Sequence, residues 1–243
     1  MSLKILIQGA LGRMGEALKN AAEEKGHTIV AGIDLGDCAA DHIQGVDLVI
    51  DFSHHSATKA LADCAGKHGV PIVIGTTGHS EEEKNVIVKL LEPVPVAWAG
   101  NYSLGVNLLF YLTQKASEIL PNDYDVEVTE MHHRFKKDAP SGTAENLLER
   151  IKTASTRSDH KLLHGREGII GERTDREIGV HSLRGGDVVG DHTVMFATGG
   201  ERLELTHKAS DRMIFARGAI HAGEWLINQK PGLYNMQDVL GLK

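Results

Sequence analysis

Cysteine is almost missing: Cys38 and Cys64 are the two thiols in 243 residues. Two thiols cannot staple a small fold, so an ordinary core must hold the chain together, and the count fits a reducing compartment. Long apolar runs are missing too. None approaches the roughly 20 residues that span a bilayer, so a membrane partner is not expected. Positive charge is in short supply, with 26 Lys and Arg against 33 Asp and Glu, a net charge of −7. That balance argues against a general nucleic-acid surface and requires any anionic ligand to be held by local positive groups. The first residues, Met-Ser-Leu-Lys-Ile-Leu-Ile-Gln-Gly, run straight into a strand-like segment. They leave no room for a signal peptide, and a cytoplasmic protein is expected.

What is present is an ordinary globular mixture, 41% apolar and 24% charged, long enough for one large domain or two small ones. Over the first hundred residues, apolar runs at 4–7, 28–33, 47–52, 71–74 and 94–97 alternate with helical patterns at 13–24, 56–67 and 81–91. Ser80 and Glu83 form a capping box for the last of these helices. Continuously apolar strands separated by helices predict a parallel sheet covered on both faces. The pattern then changes. A helix at 106–119 is followed by a strand at 124–130 and a helix after Pro140-Ser-Gly-Thr. A polar stretch near 153–173 precedes strands at 177–183, 192–197 and 202–207, and a last helix covers 211–227. The expected fold class is α/β: a Rossmann-like parallel-sheet domain (1–103 and 212–243) plus an inserted α+β substrate and oligomerisation domain with a mixed sheet (104–211).

Gly9-Ala10-Leu11-Gly12-Arg13-Met14-Gly15 follows the first strand and opens the first helix. In that setting, glycines permit a tight turn and close backbone approach while helix N–H groups meet a pyrophosphate. The spacing is GxxGxxG, with Ala10 where the commoner motif has a glycine, and packing alone is the bland alternative. Asp34 ends the second strand roughly 20 residues on, where an acid hydrogen-bonds the adenosine ribose; a solvated turn aspartate is its alternative. Leu35 follows it, so no adjacent arginine waits for a 2′-phosphate, although Arg13 could reach one. NADH is therefore expected to be preferred, with NADPH accepted. Gly75-Thr76-Thr77 and Gly100-Asn101-Tyr102-Ser103 lie at strand carboxyl ends, where ligands of open parallel sheets bind.

The densest chemistry runs from Glu130 to Ala144, Glu-Met-His-His-Arg-Phe-Lys-Lys-Asp-Ala-Pro-Ser-Gly-Thr-Ala. His132 and His133 are the residue type best suited to serve as general acid or base near neutral pH, and Lys136 offers a second proton or a cationic contact. Ser141, Gly142 and Thr143 begin a helix whose free N–H groups suit a carboxylate. The bland alternatives are a solvated basic face for Arg134, Lys136 and Lys137, and a plain N-cap for Ser141. A metal pair is set aside, because a strand sends adjacent histidines to opposite faces and no third ligand stands at metal spacing.

The chain resembles the 4-hydroxy-tetrahydrodipicolinate reductase (dihydrodipicolinate reductase) family from end to end. Glu130–Ala144 carries its motif E-x-H-H-x-x-K-x-D-A-P-S-G-T-A, and Gly9–Gly15 its glycine loop. The segments beginning at Arg184 and Gly200 are similar to it as well. The resemblance implies His132 as catalytic acid/base, Lys136 as proton donor and His133 as a substrate contact. It implies Gly142 and Thr143 as a carboxylate cradle, with Ser141 at the same helix start. Gly9, Ala10, Leu11, Gly12, Arg13, Met14, Asp34, Gly75, Thr76, Thr77, Gly100, Asn101, Tyr102 and Ser103 match cofactor positions. It further implies a small cyclic dicarboxylate substrate and a homotetramer; with cofactor and substrate on different domains, closure is expected about hinges near Ser103–Leu104 and near Arg212. A sugar-type dehydrogenase would not need the Asp-Ala-Pro-Ser-Gly-Thr cradle, and a nucleotide sensor would have no use for His132 and Lys136.

Overall fold

The computed structural model describes residues 2–153 and 159–242; residues 154–158 of the polar stretch, with Met1 and Lys243, lie outside the described residues. The chain forms two compact units, 1–104 with 212–243, and 105–211.

The first unit is a six-stranded sheet whose described pairings are all parallel. Its strands are β1 (Lys4–Gln8), β2 (Thr28–Ile33), β3 (Leu48–Asp51), β4 (Ile72–Ile74), β5 (Pro95–Trp98) and β11 (Gly232–Tyr234), in the order β11-β5-β4-β3-β1-β2. Alternation along β1 drives the layering. Ile5 and Ile7 face a core shared with α1 (Arg13–Glu24) and α6 (Met213–Leu226). Leu6 faces the opposite core, which holds α2 (His55–His68) and α3 (Glu81–Leu90). Each such buried Leu or Ile is worth about 1.5–3 kcal/mol, so both faces need their helices. The Ser80–Glu83 capping box of α3 is formed.

The second unit packs α4 (Leu104–Ile119) and α5 (Gly142–Thr153) on one face of a five-stranded sheet, order β10-β9-β6-β8-β7. Its strands are β6 (Asp125–His132), β7 (Lys161–His164), β8 (Glu177–Arg184), β9 (Gly190–Thr198) and β10 (Glu201–Ala209). β6 runs parallel to β8 and antiparallel to β9, which makes the sheet mixed. The inward row of β6 reads Val126, Val128, Glu130, His132. Two apolar residues anchor the strand, and the next two inward positions are ionisable.

Among the described residues, four short elements have no counterpart in the sequence pattern, one of them a single 3-10 turn at Ala39–Asp41. β7 lies inside the polar stretch at 153–173; its four residues Lys-Leu-Leu-His carry too little pattern, and it is recruited by pairing with β8. β11 has three residues, and α7 (Met236–Val239), four residues long, is held by an Asn235–Asp238 capping box.

Candidate active site

In the first unit the glycine loop and Asp34 meet directly. Leu11 N–H donates to Asp34 Oδ2 at 3.0 Å and Leu35 N–H to Oδ1 at 3.0 Å, so the carboxylate straps the loop to the end of β2. Gly9 has φ +83°, and a Cβ there would strike the Phe52 carbonyl; one on Gly15 would lie 2.6 Å from Ala10 Cα. Gly12 is the N-cap of α1 and offers no side chain to its first-turn amides. A loop stripped of side chains at a helix start fits a pyrophosphate. Gly9, Gly12, Asp34, Leu35, Ser53 and His54 line a hollow of about 900 Å³, large enough for an adenosine half. Arg13 and Leu11 are exposed beside it, and Met14 packs partly into the core.

Thr76, Thr77 and Gly100 line a second hollow of the same unit, about 550 Å³, with His79 and Trp98. Thr76 is buried, its Oγ accepting the Ser53 N–H at 2.9 Å. Asp51, fully buried at the end of β3, organises this edge. Its carboxylate accepts from Ser53 N–H (3.1 Å), Ser53 Oγ (2.5 Å) and Thr58 Oγ (2.7 Å), while burial pushes its pKa up. Gly75 leaves room for the Phe52 ring. At two of the expected cofactor positions the side chain is packed in the core. Tyr102 is 1% exposed with its hydroxyl near Ile74 O (2.9 Å) and Ala97 O (2.7 Å), so its side chain ties β4 to β5. Ala10 is buried against Gly32. Their aromatic and methyl groups are consumed by packing, a fate that motif position does not reveal. Asn101 Oδ1 accepts the N–H of the buried Ser103, shaping the loop from within.

In the second unit, His132 lies at the inward end of β6 with Nδ1 2.6 Å from Glu130 Oε2. Glu130 is 1% exposed and is gripped by Arg184, NH1 to Oε2 at 2.9 Å and NH2 to Oε1 at 2.8 Å. Burial works against the carboxylate, but bonds from Arg184, His132 and Ser182 outweigh it and hold the Glu130 pKa below its usual value. His132 goes the other way: desolvation lowers its pKa despite Glu130, which favours a neutral ring at pH 7. His192 of β9 meets it edge-on, ring centroids 5.1 Å apart, and burial pushes His192 down to about 4. Gly190 supplies the clearance, since a Cβ there would lie 3.0 Å from His132 Nε2.

Beyond β6 the chain turns outward. Lys136 Nζ donates to Asp138 Oδ2 at 2.8 Å. His133 is half-buried and its Nδ1 is buried without a hydrogen-bond partner among the described residues, an atom suited to a ligand group. Ser141 Oγ accepts the Ala144 N–H (3.2 Å) and lies 3.1 Å from His192 Nε2. It is therefore a buried helix cap, which is the alternative the sequence offered for it. Gly142 is exposed, with open space around it, and Thr143 is half-buried beside it. Arg184, His192 and Asp51 were given no role from sequence. The signal was period-two alternation: it puts Glu130 beside His132, and a buried acid demands a cation.

A family model described as "Dihydrodipicolinate reductase, N-terminus" matches residues 3–102, and one described as "Dihydrodipicolinate reductase, C-terminus" matches 105–240. The chain is 52% identical over 242 residues to a curated 4-hydroxy-tetrahydrodipicolinate reductase of Akkermansia muciniphila, covering 99% of this chain and 98% of that one. It is 46% identical over 269 residues to one of Magnetococcus marinus, covering 100% of both. Among solved structures, dipicolinate-bound dihydrodipicolinate reductase from Paenisporosarcina sp. TG-14 shares the fold, with a TM-score of 0.79 at 23% identity over 97% of this chain and 98% of that one.

Proposed function

The chain belongs to the dihydrodipicolinate reductase family, and from that premise we propose that it reduces 4-hydroxy-tetrahydrodipicolinate, by way of dihydrodipicolinate, to tetrahydrodipicolinate in the diaminopimelate route to lysine. A pyridine nucleotide, when bound, supplies the hydride. The observation that carries the reading in the structure is the buried Glu130–His132 pair beside Lys136 and the start of α5.

Hydride addition to an unsaturated ring leaves electron density that a proton must quench. The Lys136 ammonium, ion-paired to Asp138, is a donor at hand. His132 offers Nε2 as an acceptor when its Nδ1–H is committed to Glu130, and so can pass or receive the proton that Lys136 exchanges. His133 Nδ1 and the Gly142–Thr143 helix start are suited to the two carboxylates, supported by the exposure of Gly142. Asp34, with exposed Leu35 after it, supports NADH over NADPH, because a carboxylate there repels a 2′-phosphate. From the family resemblance we infer a four-copy assembly; light scattering tests it.

The decisive assay follows NADH and NADPH oxidation with the product of the preceding pathway synthase. Substrate-dependent oxidation, inhibited by pyridine-2,6-dicarboxylate, is expected. No oxidation with either nucleotide rejects the function, and a higher kcat/KM with NADPH rejects the cofactor preference alone.

A further inference from the structure

The two proton-handling side chains of the second unit hang from one guanidinium. Arg184 closes β8 directly opposite His132 in the parallel register of β6 and β8. Besides its fork on Glu130, NH1 donates to Leu183 O at 2.7 Å and NH2 to Asp138 O at 2.6 Å. The four terminal N–H groups can therefore each have an acceptor. The Glu130 oxygen that NH1 holds is the one 2.6 Å from His132 Nδ1. Asp138, whose carbonyl NH2 holds, is also the residue whose carboxylate takes the Lys136 ammonium.

We propose that Arg184 is a positioning residue for the reduction: one guanidinium sets the tautomer of His132 through Glu130 and the placement of Lys136 through Asp138. The inference rests on the reading that His132 and Lys136 handle the proton. Its logic is electrostatic first. A carboxylate as buried as Glu130 stays ionised only beside a cation, and an arginine keeps its charge at any working pH. An ionised Glu130 accepts and cannot donate, so the neutral His132 ring carries its proton on Nδ1 and presents a bare Nε2. Glu130, Arg184, Lys136 and the neutral His192 are the groups whose charge or ring bears on it. The second part is geometric. A lysine at 184 would supply the charge, but its three N–H groups share one nitrogen and lack the rigid fork that grips both Glu130 oxygens and the Asp138 carbonyl together.

The test compares Arg184→Gln and Arg184→Lys in the full-length enzyme, reading kcat, NADH affinity and the nitrogen NMR shifts of isotope-labelled His132. The wild type should show a neutral ring protonated on Nδ1. In Arg184→Gln the uncompensated Glu130 should recruit a proton onto the ring, giving imidazolium near neutral pH, with kcat down ~10–100-fold and NADH affinity within about twofold. In Arg184→Lys the ring should stay neutral while kcat falls about tenfold, because the fork is lost. A neutral Nδ1–H ring in Arg184→Gln overturns the proposal, as does near-wild-type kcat in both variants or a parallel loss of NADH affinity. If the glutamine variant does not fold, wild-type turnover in the lysine variant is sufficient to overturn it. Should the enzyme turn over no dicarboxylate at all, the functional reading fails, while the His132 spectra still decide the tautomer.

Discussion

The two units build their sites from opposite materials. In the first, the edge that carries the candidate cofactor positions is mostly backbone: a loop of glycines, helix amides, and acids such as Asp34 and Asp51 that hold the loops. In the second, the site is side-chain charge, with a buried acid clamped between an arginine and a histidine. A backbone site tolerates changes of charge and fails on added volume. A charged site fails when one partner is removed.

The sharpest break of that contrast is His132→Ala. Turnover should fall ~10²–10⁴-fold while the Kd for NADH stays put, as stopped-flow and fluorescence titration would show; a matching loss of NADH affinity would erase the distinction between the units. Next comes pH. His192 is driven to about 4 in the folded state from an unfolded value near 6.5. The unfolded chain thus binds more protons between those values, so stability from this group is full above pH ~6.5 and is lost as pH falls towards about 4, by about 3 kcal/mol in all. Urea midpoints against pH should show that slope, reduced in His192→Phe. In the first unit Gly15→Ala should cost about 1–3 kcal/mol by overpacking. It should weaken NADH binding yet leave kcat at saturating NADH near wild type, and a kcat defect there would blur the comparison. The smallest effect is expected from Leu35→Arg, an exposed charge worth about 0.2–1 kcal/mol that should tilt the kcat/KM ratio several-fold towards NADPH.

The same contrast explains what could be read in the amino-acid string. Period and punctuation made the parallel sheet visible, because each apolar run between helices is buried on both faces. Residues 13–24 and 28–33 appear as expected, bounded by Gly12 before the helix and Gly26 between the two elements. The candidate segment from Glu130 to Ala144 was legible because its residues are consecutive. Arg184 and His192 were not, because they reach Glu130 and His132 only through strand pairing. Tyr102 shows the reverse limit: it occupies a loop that matches cofactor positions, and the string does not reveal that its ring is turned into the core. β7 and β11 were missed because three or four residues carry no readable period.

The first unit draws on both ends of the chain, and this sets an order of events during synthesis. Its core includes Ala216, Ala219, Ile220 and Leu226 of α6, with Gly223 seated against Leu48 and Gly218 against the Tyr102 carbonyl. Until the ribosome has passed residue 212 and released α6, the face of β1 and β3 that carries Ile5, Ile7, Leu48 and Ile50 has α1 as its one covering helix, with the Tyr102 side chain beside it. The second unit, whose residues are contiguous, is complete by then and can close first. The nascent chain therefore leaves the tunnel with its first-made strands waiting for α6, among its last-made elements, and any truncation before α6 yields a half-covered sheet that invites aggregation.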